Sequence, residues 1–115
     1  MNQDLLVHLL HIIVIGALFL YVGIRRTNIP KVFFPILLFL GIVIVLYHSY
    51  KSYLRSKEQK SYWINMLHIL LVGPLLIYIG YYGVDTARMY FEILLMLGFS
   101  VIGYHLYYVA FNVQT

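Results

Sequence analysis

The chain repeats itself. His11 to Gly23 reads HIIVIGALFLYVG, and 57 residues later His68 to Gly80 reads HILLVGPLLIYIG. The match runs on without a gap: Lys31 to Gly41 aligns with Arg88 to Gly98, and Tyr47-His48-Ser49-Tyr50 aligns with Tyr104-His105-Leu106-Tyr107. At this one offset, 15 of the 40 positions between 11–50 and 68–107 are identical. Leu and Ile coincide by chance in apolar chains, so the weight falls on the rarer residues: two His pairs, three Gly pairs and three Tyr pairs. A tandem duplication constrains the fold more than any other feature, because whatever one half forms the other must form too.

What each half forms follows from its polarity. Hydrophobic residues make up 63% of the 115 residues and charged ones only 10%, against about a quarter charged in a soluble domain. Crossing a hydrocarbon core takes about 20 helical residues, and four apolar runs are long enough, at about 5–24, 32–54, 62–82 and 88–110. The expected fold is therefore an all-α integral membrane protein, a bundle of four transmembrane helices. Residues 1–54 form repeat one, 55–61 a polar linker and 62–115 repeat two. Two helices per repeat give both repeats the same insertion direction, which implies a pseudo-two-fold axis along the membrane normal.

The remaining residues refine this outline. Asp4 precedes the first run with no Lys or Arg before it; with no small-residue cleavage site following, the run is expected to stay as a helix. Asn28 and Asp85 stand where N-caps of the second and fourth helices are expected, and Pro30 and Pro35 fall early enough to be tolerated. Pro74, where the first repeat has Ala17, predicts a kink confined to the third helix. Arg88 and Glu92 are spaced for an i,i+4 pair. Trp63 and the many tyrosines near it suit a membrane interface. Orientation is left open: Arg25, Arg26, Lys31 and Arg88 lie at one face, and Lys51, Arg55, Lys57 and Lys60 at the other, so the positive-inside rule gives a tie.

Chemistry concentrates in histidine. His11 pairs with His68 and His48 with His105 across the repeat. His11 lies roughly 22 Å and His48 roughly 27 Å from the face of the first turn at the helical rise, so all four are expected in one layer near the opposite face. His8, one turn before His11, aligns with Asn65 and stands outside the pattern. Gly41 and Gly98 lie seven residues, about two turns, before His48 and His105 on the same face, and leave room for a flat cofactor beside the layer. Tyr47 and Tyr104 adjoin it and are placed to hydrogen-bond a ligating imidazole.

Three functions are compatible with this layer. His11, His48, His68 and His105 are candidate ligands of haem b, or of a transition metal ion such as zinc or copper, for electron transfer. No ligand at all is equally compatible: the protein is then a structural or accessory component, of a viral membrane or of a larger membrane complex, with histidines that only hydrogen-bond between helices. A small transporter or channel is the third, because ionisable groups within spans mark pathways. Expected partners are the lipid bilayer and other membrane subunits or a second copy; the placement of the +4 net charge in loops argues against nucleic acid. The chain has no cysteine, hence no disulfide and no thiolate metal site. It also has no HExxH, no phosphate-binding Gly loop and no Ser-His-Asp spacing, so no catalytic residue is assigned and enzymatic activity is not expected.

Overall fold

The computed structural model describes the backbone of residues 3–111 and the side chains of 5–111. Four helices are long and apolar enough to cross a membrane: α1, Leu5–Arg25; α2, Phe33–Lys57; α3, Trp63–Asp85; and α4, Arg88–Ala110. The expected spans match these closely, except that α2 and α3 each run three residues further, α2 to Lys57 and α3 through a short 3-10 turn to Asp85. It ends in a Schellman turn, with Gln59 at φ 57° and the Lys60 N–H donating to the Arg55 carbonyl.

The chain packs as two compact units, residues up to Asn28 with those from Ala87, and Ile29–Thr86. In the first, α1 lies against α4. Gly16 faces Ile102 and Gly23 faces Leu95, so as one number rises by seven the other falls by seven and the helices are antiparallel. In the second, α2 lies against α3, with Gly73 facing Val45 and Gly80 facing Leu38. Each facing pair in one unit lies 57 residues from its counterpart in the other. Both units thus join an odd helix to an even helix from the opposite half of the chain.

The fully buried side chains keep the same offset. Phe19, Val22, Phe91 and Leu94 fill the first unit; Leu76, Ile79 and Leu37, their counterparts, fill the second, with Phe34 nearly as buried. The glycines set how closely the helices approach. A methyl group on Gly23 would lie 2.8 Å from the Cα of Leu95, and one on Gly80 would lie 2.5 Å from the backbone nitrogen of Leu38. Such close approach is the usual basis of helix pairing in lipid, where water supplies no driving force. Leu6, Ile13, Phe39, Leu70, Met96 and Phe99 remain exposed on the helices, apolar surface that suits hydrocarbon better than water.

Two expected caps are not caps. No side chain caps α2, which Val32 precedes; Asn28 belongs to the preceding turn, its N–H donating to the Arg25 carbonyl. Asp85 closes a single 3-10 turn, Gly83–Asp85, and extended Ala87 leads into α4. The i,i+4 pair of Arg88 and Glu92 is formed, at 3.3 Å. In the linker Lys60 pairs with Glu58 at 3.0 Å, and this hydrogen bond and the lysine's charge hold the Glu58 carboxyl below the usual range.

Both odd helices carry a wider turn, in the third helix just before Pro74. His11–Gly16 and His68–Val72 are π-helical. A histidine opens each segment. The His11 Nδ1–H donates to the Val7 carbonyl at 2.8 Å, and the His68 Nδ1–H donates to the Ile64 carbonyl at 2.7 Å. In an α-helix that carbonyl receives the histidine's own backbone N–H. At His68 the carbonyl of Ile64 accepts from both the ring and the backbone N–H, and later donors bond one residue further back, as where the Gly73 N–H reaches the His68 carbonyl. The α-helix restarts at Gly73, so Pro74 falls in a first turn, where its missing N–H costs little.

Candidate functional site: the histidine clusters

Each unit gathers its histidines near one end of its helix pair. In the α1–α4 unit, His8 and His105 meet Nδ1 to Nδ1 at 2.7 Å, both buried; one ring donates and the other accepts. His11 stacks on His105 with centroids 4.4 Å apart, and Tyr108 stacks on His8 at 5.5 Å with the planes within 4°. Tyr104 meets His105 edge-on.

In the α2–α3 unit, the His48 Nδ1–H donates to the Asn65 Oδ1 at 2.7 Å. His68 stacks on His48 with centroids 4.0 Å apart and planes 16° from parallel, and Tyr47 meets His48 edge-on. This is the same cluster residue by residue at the offset of 57: His68 for His11, His48 for His105, Tyr47 for Tyr104. The exceptions are Asn65 where the first unit has His8, and Lys51 where it has Tyr108.

The structure therefore brings His11 together with His105, and His48 together with His68. His8 and Asn65, set apart at the level of sequence, are the residues that tie the clusters across the helices. The signal was present: each lies one helical turn before the stacked histidine, hence on the same face, and they align with each other. Tyr47 and Tyr104 contribute ring edges to the neighbouring imidazole. Gly41 and Gly98 are buried, and the space beside them is taken by the facing helix: the Gly73 carbonyl and Ile77 at Gly41, Leu20 and Phe19 at Gly98.

The rings' chemistry follows from these partners. A donating Nδ1 leaves Nε2 as the basic nitrogen of His11, His48 and His68, the tautomer a metal-bound histidine uses. A shared ion, however, must lie in the plane of both rings about 2.0–2.1 Å from each nitrogen, and the nearly parallel planes of His48 and His68 meet only far beyond that reach. Among the described residues no three His, Asp or Glu side chains are grouped to hold a metal ion, and no buried side-chain nitrogen or oxygen lacks a hydrogen-bond partner. In comparisons with known proteins, no family model, curated protein or solved structure matches the chain.

Proposed function

We propose that the chain is a multi-pass integral membrane protein of two tandem repeats, related by a pseudo-two-fold axis along the membrane normal. Its histidines serve as interhelical clamps of a structural or accessory membrane component, not as ligands of haem or metal. The observation that carries this reading is the filled state of both clusters: each imidazole is stacked on another ring, and each Nδ1 is engaged by a side chain or a carbonyl. Buried polar groups within apolar helices need such partners, and hydrogen bonds across helices hold membrane pairs in register. The short connections leave the lipid-facing surface as the area for association with other membrane subunits.

The test is an absorption spectrum of the detergent-purified protein, oxidised and then dithionite-reduced, with metal analysis on the same sample. The expected protein is colourless, holds no stoichiometric metal and takes up neither haem nor metal when these are added. A Soret band that shifts on reduction and disappears in a His11→Ala, His68→Ala variant would establish a b-type haem instead. Stoichiometric copper or zinc lost in the same variant would establish a metal site.

A further inference from the structure

The two clusters differ at the residue that closes them, and the difference is a proton acceptor. Asn65 has an amide oxygen that only accepts. His8 has a ring that either donates or accepts at Nδ1 and carries a charge when protonated. In the neutral pair, one Nδ1–H donates to the other Nδ1. A proton taken from water by the donor ring at its Nε2 turns that ring into an imidazolium, and its Nδ1–H bond to the second ring becomes charge-assisted and stronger. The bonding proton then lies between two equivalent nitrogens, and the charge follows it. A second proton would place an N–H on both Nδ1 atoms, facing each other, and break the contact.

We infer that His8 and His105 form a site that binds one proton as an imidazole–imidazolium pair. Its surroundings suit a single positive charge. Tyr108 lies flat on His8, offering the negative face of its ring to a cation. Among the described residues, the titratable groups seen in ring contact with the pair are His11, stacked on His105, and Tyr104 and Tyr108 on α4. Neither Leu5–Ile24 nor Ile93–Phe111 contains an Asp, Glu, Lys or Arg; Asp4, one turn before His8, has its side chain outside the described residues. In the other unit both devices are missing: Asn65 cannot take the proton, and Lys51 replaces the tyrosine.

This site rests on the proposal that the imidazoles bond to one another and not to a ligand, and one experiment separates the two. The ring nitrogens of 15N-histidine-labelled protein in bilayers are followed by NMR from about pH 8 to about pH 4, spanning the histidine range. Two groups that share a proton titrate as a pair, in two macroscopic steps. The expected result is that His8 and His105 shift together in both steps, the steps more than about one pH unit apart. In H8N, His105 should collapse to a single step while the His48 and His68 signals stay in place, which also certifies the fold. In N65H, His48 should acquire a two-step titration that it lacks in the parent. Independent single-step curves for His8 and His105, or a His48 curve unmoved by N65H, would overturn the shared proton alone. A His105 ring that does not titrate and retains bound metal or haem would overturn both proposals.

Discussion

The α1–α4 and α2–α3 units solve one packing problem twice and differ in detail. Both use an antiparallel pair of apolar helices, glycines at the closest approach, a π-turn opened by histidine, and a stacked imidazole pair locked by a residue one turn earlier. Where they agree, the common geometry follows from residues present in both halves of the chain. Where they differ, one residue at a time changes the physics: His8 for Asn65 exchanges a proton acceptor for a fixed dipole, and Arg26 for Gly83 exchanges a side chain for none. The pair of units is therefore an internal control, in which each serves as the reference for substitutions in the other.

The largest effects belong to the glycines. Gly80→Val and Gly23→Val place side chains against backbone atoms of the facing helix, which cannot step aside. Each should cost about 3 kcal/mol or more, read as a lower denaturant midpoint in mixed micelles. A Gly103→Ala change has nothing within 4 Å of the added carbon and should raise the midpoint slightly through helix propensity, by up to about 1 kcal/mol. Unequal losses at Gly23 and Gly80 would break the equivalence of the two interfaces.

Next come the stacked histidines. His11→Ala and His68→Ala remove the ring's bond to the carbonyl one turn back and its stacking on the facing imidazole, for about 1–2 kcal/mol. The two losses should agree within about half a kcal/mol, within the error of treating separate sites as independent. The variants should also return the π-turn to α-helical bonding, seen as a change in amide hydrogen exchange over residues 11–16 and 68–72. A much larger loss at one site would show that the clamps are unequally loaded.

A smaller effect, of opposite sign, is expected at the ends of α1 and α3. Arg26 and Gly83 lie 57 residues apart in nearly the same conformation, φ 53° ψ −121° and φ 54° ψ −123°. Glycine adopts it freely, but a residue with a Cβ is strained. Arg26→Gly should therefore stabilise by about 1 kcal/mol and Gly83→Arg should destabilise by a similar amount, both readable as shifts in Tm. The smallest effect is at α4: Glu92→Gln breaks an exposed pair with Arg88 and should cost under about 0.5 kcal/mol, less at high salt.

Much of this was legible in the sequence. Apolar run length placed all four helices, because lipid imposes a fixed length on a span. The Arg88–Glu92 spacing gave its pair, and the offset of 57 marked the histidines. The pairing of helices was hidden, because a helix apolar on all sides carries no stripe that points to its neighbour. The π-turn before Pro74 was not legible: it opens where the His68 ring bonds the Ile64 carbonyl, a contact that propensities do not encode. Asn28 and Asp85 are capping residue types, but each lies in the turn three or more residues before its helix, out of reach of the first helical N–H groups. His8 breaks the identity of the repeat, although its place in the fold is that of Asn65.

The pairing of α1 with α4 bears on how the protein is made. Chains emerge from the N-terminus onward, so α1 is made before α2 and α3, and its partner α4 after them. α2 and α3 are synthesised consecutively and can close on each other while the remainder of the chain is still being added. Throughout that interval the histidines and close-packing glycines of α1 lack the helix they pack against in the finished unit. The order of synthesis is thus asymmetric although the finished units are alike: the α2–α3 pair comes from consecutive chain, and the α1–α4 pair must wait for the last helix of the four.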